Sequence, residues 1–388
     1  AESPDQARAG AAAVELICEP LPEVHDPVAA MEPGAPDLYP GGNVLAEYDI
    51  RFGDAQAALA GSDLVLETRY TTSFQEHAAL ERETVLAYLD AEGRVTVVGG
   101  HQEPHWAHGY IARLLGLPWD RVRVITPPMG GAFGGKQDPW PLMAGALAAY
   151  HAPDGRPVRL AYTRRESFVA SPKRHPYRLH YRVGAGRDGS LRGLALRIVA
   201  DTGAYDADGA FIPQYALVAG GGPYRWQAVD AHAWSVYTNN PKAGQMRGFG
   251  TPQSNLALEC TLDELAERLG MDPLVLRLRN AIDDDTVLFL GYRPAETVGY
   301  SQCQEAIAPH YREARARAAE RNRRAAGPWR WGAGLAGMWY RFGKSGPISS
   351  EAHAELGRDG GITVYCSAPD YGQGTTTVMA QLAAEALG

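Results

Sequence analysis

The sequence predicts an α+β fold of mixed sheets with packed helices, on three observations. Strand-like and helix-like segments alternate without a strict βαβ repeat. Two polar turns, Asp90-Ala91-Glu92-Gly93 and Arg187-Asp188-Gly189-Ser190, separate short apolar runs as hairpin turns do. One long amphipathic helix, residues 255–269, carries apolar side chains at helical spacing. No repeat at solenoid spacing is present.

The elements follow in chain order. Ser3 can cap a helix whose first position is Pro4 and which runs to about residue 14. Residues 14–18 are extended, and proline-punctuated text continues to Pro40. Residues 63–72 alternate like a half-buried strand, and 85–89 with 95–98 form a hairpin. Pro104 begins a helix through Leu115; 121–126 is strand-like and 142–150 helix-like. A strand leaves Arg156-Pro157 and reaches Tyr162, and 178–183 pairs with 191–201. The helix 255–269 places Leu256, Leu258, Cys260, Leu262, Leu265 and Leu269 at its apolar positions and ends at Gly270. Residues 312–324 are a solvated basic helix face, 362–367 a strand and 375–387 a helix.

Composition bounds the function. With 388 residues, 45% hydrophobic and 21% charged, the chain can build two or three domains with a large core. A net charge of −8, without a basic cluster interleaved with aromatics, argues against a nucleic-acid surface. No apolar run is long enough to span a membrane. Cys18, Cys260, Cys303 and Cys366 are scattered without a CxxC, so this chain alone is not expected to hold an iron–sulfur cluster. They read as small core residues in a reducing compartment, which makes the cytoplasm the expected location.

The most informative run is Gly130-Gly131-Ala132-Phe133-Gly134-Gly135-Lys136-Gln137. Four glycines around one aromatic describe backbone that approaches a ligand closely. Between a strand and a helix, such a loop aims amides and a helix N-terminus at something anionic or electron-rich. A phosphate loop would match up to Lys136, but Gln137 stands where a Ser or Thr should bind magnesium. A nucleotide-binding ATPase and a ligand-free glycine turn remain alternatives on this segment. His101, His105 and His108 read H-x-E-x-H rather than H-E-x-x-H, with Pro104 between, so zinc is not expected.

Company narrows the choice. Gly99-Gly100-His101-Gln102-Glu103-Pro104-His105 lies upstream, Gly244-Gln245-Met246-Arg247-Gly248-Phe249-Gly250 downstream, and Tyr371-Gly372-Gln373-Gly374 near the end. Gln75-Glu76-His77, Arg174-His175-Pro176 and Leu269-Gly270-Met271-Asp272-Pro273 support them. In this order the segments resemble the molybdenum-binding subunit of the xanthine dehydrogenase and aldehyde oxidase family, the molybdenum hydroxylases. The resemblance runs across residues 1–388 and implies a molybdopterin-binding fold of that type. It implies three parts: residues 1–40 as the tail of a small α+β domain and linker, 41–330 as a first molybdopterin-binding domain, and 331–388 as the start of a second. The chain therefore reads as an incomplete piece at both ends.

The resemblance also implies the activity: oxidative hydroxylation of an aldehyde or aromatic N-heterocycle, with water as oxygen source. The cofactor would be molybdenum–molybdopterin in its cytosine dinucleotide form, with no side chain ligating the metal. Electrons would leave through [2Fe–2S] centres, with or without FAD, on partner chains or missing domains of a larger oligomer. Gln102 falls where the family sets an amide beside the metal's oxo group, a donor that adds no charge. Gly131, Ala132, Phe133 and Gly134 would offer backbone amides, Phe133 would also pack on the substrate ring, and Arg247 would position the cofactor. Gln373 and Gly374 would reach the pterin or its phosphates. Purine-oxidising members carry Glu and Arg where this chain has Gln137 and Tyr215, so those two residues would steer the pocket away from xanthine. The carbon monoxide dehydrogenases carry a cysteine where Gly248 stands, so that activity is not expected. The family's catalytic base, a glutamate in a later segment, has no counterpart in these residues. That leaves three alternatives: a base elsewhere in the protein, a base on another chain, or an inactive member acting in binding or assembly.

Overall fold

The computed structural model describes residues 3–340 and 350–388. The chain opens with helix α1 (Pro4–Ala12), strand β1 (Val44–Phe52), helix α2 (Ala55–Ala60) and strand β2 (Leu64–Thr71). Strands β3 (Thr84–Leu89) and β4 (Val95–Gly99), helix α3 (Pro104–Leu115), strand β5 (Val122–Ile125) and helix α4 (Trp140–Tyr150) follow. Next come β6 (Val158–Ala161), α5 (Arg164–Ala170), β7 (Lys173–Arg174), β8 (Tyr177–Ala185) and β9 (Leu191–Gly203). Helix α6 (Ile212–Ala219), β10 (Ala228–Tyr237), β11 (Ala243–Gly244), α7 (Thr251–Leu269), α8 (Pro273–Asn280) and α9 (Tyr300–Arg324) complete the larger part. The hairpin β12 (Ala352–Leu356) and β13 (Ile362–Cys366) precedes α10 (Thr375–Leu387).

Two mixed sheets organise the chain. The five-stranded sheet runs β1-β10-β9-β8-β2, and only its β10–β9 pair is parallel. Tyr177, Leu179, Leu196 and Ile198 of that sheet pack with Ile212, Ala216 and Leu217 of α6 and with Leu258, Leu262 and Leu265 of α7. Helix α2 packs on β8 and β9. The four-stranded sheet runs β5-β4-β3-β6 with one parallel pair, β4–β5. Its Val85, Ala87, Val95 and Val97 meet Ala107 and Ile111 of α3 and Leu142, Ala146 and Ala149 of α4. Each sheet thus hides an apolar face under helices, the requirement that makes an α+β architecture.

Helix α7 is longer than its apolar spacing suggests. It starts at Thr251, directly after Gly250 in a left-handed conformation, and Pro252 suits its first turn. Its buried stripe includes Glu259 and Thr261, whereas Leu256 and Cys260 face outward. Glu259 can be buried because Arg277, itself wholly buried, donates Nε to it at 2.8 Å and Tyr224 donates its hydroxyl at 2.7 Å. The reading of the cysteines as core residues is also corrected: all four are exposed.

Candidate functional site

The site gathers around the glycine loop between β5 and α4. Glu81, in the segment before β3, holds the loop at both ends. Its carboxylate accepts the Gly130 N–H and, at 3.0 Å, the Lys136 ammonium, while its own N–H donates to Gly130 O. Lys136 is only 5% exposed, so its charge is spent on Glu81 rather than aimed at a ligand. That pairing removes the lysine a phosphate loop needs. Gly131 and Gly134 have φ near +100°, and Phe133 between them is a non-glycine residue at φ +56°. Holding a phenylalanine there is strained, which is characteristic of loops shaped for a ligand. Phe133 is 42% exposed, so its ring is open to contact from outside the protein.

Gln102 sits between β4 and α3 and is tied to the loop twice. Its backbone N–H donates to Lys136 O at 2.8 Å, and its Oε1 accepts the Gly134 N–H at 3.0 Å. Because an amide N–H can bond only the oxygen end, this contact fixes which way the side chain points. Its NH2 group makes no hydrogen bond among the described residues. The Gly134 N–H is thereby used within the protein. The N–H groups of Gly131, Ala132 and Phe133 find no acceptor among the described residues, although Ala132 is 1% exposed. Three successive amides without an acceptor among the described residues can donate to an electron-rich group.

The second glycine segment closes on the first. Arg247 N–H donates to Phe133 O at 2.8 Å, and its guanidinium lies 5.8 Å from the Phe133 ring centroid. Arg247 is exposed and has no carboxylate within ion-pair distance among the described residues. His77 Nε2 meets Gln245 O at 2.6 Å. Phe249, like Phe133, has a positive φ, here +49°. The third segment arrives through Met129 N–H, which donates to Asp370 O at 3.0 Å. There Gln373 braces its own turn: Oε1 accepts from Tyr371 N–H and Nε2 donates to Pro369 O and Thr375 Oγ1. Gly374 N–H donates to Asp370 Oδ1, so neither residue offers a free donor from these groups.

Gln137 and Tyr215, 78 positions apart in sequence, line one cavity of about 600 Å³. Tyr215 stands on α6 edge-on to Phe249, with ring centroids 4.9 Å apart. Deeper in the wall, Asp138 accepts the Lys242 ammonium at 2.6 Å. Burial pushes the Asp138 carboxyl up, and the Lys242 charge opposes that shift. Among the described residues no group of three or more His, Cys, Asp and Glu side chains could hold a metal ion. His101 is 1% exposed and pushed down to about 4 by burial, while His108 packs on Trp119. Sequence reading located the glycine segments of the site but gave no role to Asp138, Lys242 or Asp370. Each acts on a partner far away in sequence, and no local spacing signals that.

Three glycine-bearing segments thus meet through backbone hydrogen bonds, next to loop amides that have no acceptor among the described residues. Residues 38–281 match the model of a molybdopterin cofactor-binding domain, and residues 304–388 match a second model of the same description. The nicotinate dehydrogenase large molybdopterin subunit of Eubacterium barkeri is 35% identical over 79% of this chain and 71% of that protein. The xanthine dehydrogenase molybdenum-binding subunit of Escherichia coli O157:H7 is 33% identical over 97% of this chain and 50% of that protein. The aldehyde oxidoreductase structure from Desulfovibrio gigas superposes with a TM-score of 0.84 at 28% identity, over 96% of this chain and 41% of that one. The chain belongs to the molybdopterin cofactor-binding family, the molybdenum hydroxylases of xanthine dehydrogenase and aldehyde oxidase type. It spans about half the length of the xanthine dehydrogenase subunits it matches.

Proposed function

We propose that this chain is the molybdopterin-binding part of a molybdenum hydroxylase acting on an aldehyde or an electron-poor aromatic N-heterocycle. The observation that carries the reading is the loop's donor surface: three free amides at Gly131, Ala132 and Phe133, beside the unpartnered NH2 of Gln102. Molybdenum–molybdopterin would supply the redox chemistry, the substrate C–H and a water becoming C–OH with release of two protons and two electrons. The chain's own part is to hold and orient. Gln102 donates a neutral hydrogen bond where added charge would be unwelcome. Gly134 keeps that amide aimed, and Arg247 sets a cation over Phe133 to meet an anionic part of the cofactor. Gln373 and Gly374 shape the turn that faces the pterin or its phosphates from the second domain, which we place at 331–388 after a first at 41–330.

The cytosine dinucleotide form, [2Fe–2S] centres and a flavin on partner chains or domains, and a cytoplasmic oligomer complete the proposal. No helix among the described residues is long and apolar enough to cross a membrane. Gln137 and Tyr215 on the cavity wall supply neither the carboxylate nor the guanidinium that would anchor a purine. Molybdenum content tests the reading directly. Protein purified from its own host with its partners should contain near-stoichiometric molybdenum and release CMP on acid hydrolysis. A metal-free preparation from molybdate-replete cells would sink it. Xanthine turnover as fast as that of the best aldehyde would sink the substrate assignment alone.

A further inference from the structure

The cavity beside the loop has a charge as well as a shape. Trp106, Trp140, Tyr205, Phe211 and Tyr215 give it aromatic walls, and Trp140, Tyr205 and Phe211 each leave more than half their surface uncovered. A volume of about 600 Å³ accommodates an aromatic ring with a substituent. Its ionisable lining is Glu103, Asp138, Asp206, Asp208 and Lys242. Lys242, the sole cation among them, is consumed by Asp138 at 2.6 Å, with both side chains nearly buried. Glu103 and Asp206 have no ion-pair partner among the described residues, and no arginine lines the cavity.

We propose that this cavity selects substrates by charge, favouring an aromatic aldehyde or heterocycle that carries a cationic group over one that carries a carboxylate. The inference rests on the reading of the cavity as the substrate site of a molybdenum hydroxylase, and names the substrate class within it. The carboxylates do not themselves make the site; the walls around Gln137 and Tyr215 do. What the carboxylates add is a negative potential at the mouth, focused by the low-dielectric aromatic walls. The same walls present ring faces that attract a cation and gain nothing from an anion. An incoming carboxylate would meet Glu103 and Asp206, and the residues that line the cavity offer it no unpaired cation.

The test uses the intact, molybdenum-replete enzyme and three para-substituted benzaldehydes: trimethylammonio, methyl and carboxylate. At low ionic strength KM for the cation should lie at least about tenfold below that for the carboxylate, and salt at about 0.5 M should narrow the gap. The double variant Glu103→Gln/Asp206→Asn should narrow it several-fold without salt, a comparison that cancels intrinsic differences in aldehyde reactivity. A KM ratio that neither salt nor the double variant moves overturns the proposal. If the molybdenum-replete enzyme oxidises no benzaldehyde, the aldehyde branch of the hydroxylase reading fails instead. Calorimetric binding of benzyltrimethylammonium against phenylacetate then decides the charge preference: tighter cation binding supports it, and equal or reversed affinities overturn it.

Discussion

Gln102 and Lys136 are both polar residues at the glycine loop, yet they do opposite things. Gln102 keeps one end of its amide in the protein and one end free, whereas Lys136 is spent entirely on Glu81. Gln102→Glu would still accept the Gly134 N–H but would replace the donor with an oxygen lone pair. It should lower kcat roughly 10- to 100-fold, the usual cost of losing one preorganised donor, while molybdenum content stays unchanged. Full activity in that variant would remove the donor role. Lys136→Met acts on stability instead. Removing half of a buried ion pair costs about 3–5 kcal/mol, and Glu81's 35% exposure lowers the expectation to about 1–3 kcal/mol. The melting temperature should drop accordingly, and Mg-nucleotide should leave that of the parent protein unchanged; a nucleotide-dependent rise in the parent would return the phosphate-loop reading.

At the scale of elements, sequence reading did best where a helix or strand carries its own punctuation. Pro104 and Gly116 bracket α3, and Gly374 precedes α10, so their bounds match the predicted ones at 104–115 and 375–387. It passed over β1, β10, α2 and α6. Strand β10 mixes Ala228, Ala231 and Ala233 with Asp230 and His232, and its identity as a strand comes from pairing with β1 and β9 on either side rather than from propensity. Helix α6 is short and apolar on most sides, which leaves no periodicity to read. The loops between elements carry the site, and one contact there is testable. A Cβ on Gly134, where φ is +100°, would lie 2.7 Å from Gln245 O and 3.0 Å from the Met246 Cα. Both are backbone atoms of the Arg247 segment, so neither can yield without separating the two loops. Gly134→Ala should therefore strip most of the molybdenum from the purified enzyme. Gly10→Ala, on an exposed helix with open space around the added methyl, should leave metal content at the parental level. Equal metal content in the two variants would mean that loop closure does not hold the cofactor.

Across the whole molecule, the motif-bearing half of the site was legible because glycines and aromatics at close spacing advertise themselves. The Glu81, Asp138–Lys242 and Asp370 contacts join segments from 49 to 241 residues apart, and only the fold brings them together. The same fold buries titratable groups that composition cannot reveal. His101 and His175 are each 1% exposed, and burial pushes them down to about 4 and about 3 from an ordinary 6.5. In the unfolded chain both take up a proton near pH 6.5, and in the folded protein they stay neutral. The unfolded state therefore binds more protons as pH falls below 6.5, and stability declines from there toward the folded values near 4 and 3. Each histidine contributes a slope of up to about 1.4 kcal/mol per pH unit in that window. Asp138 and Asp201, whose carboxyls burial pushes up from 3.8, act in the opposite sense, between their raised folded values and 3.8. Between pH 6 and pH 5 the histidines should win. The denaturant midpoint should consequently fall on going from about pH 7 to about pH 5, and His175→Gln should flatten that fall while lowering stability at neutral pH. A midpoint that holds level or rises at pH 5 would show that the two imidazoles are not kept neutral by the fold.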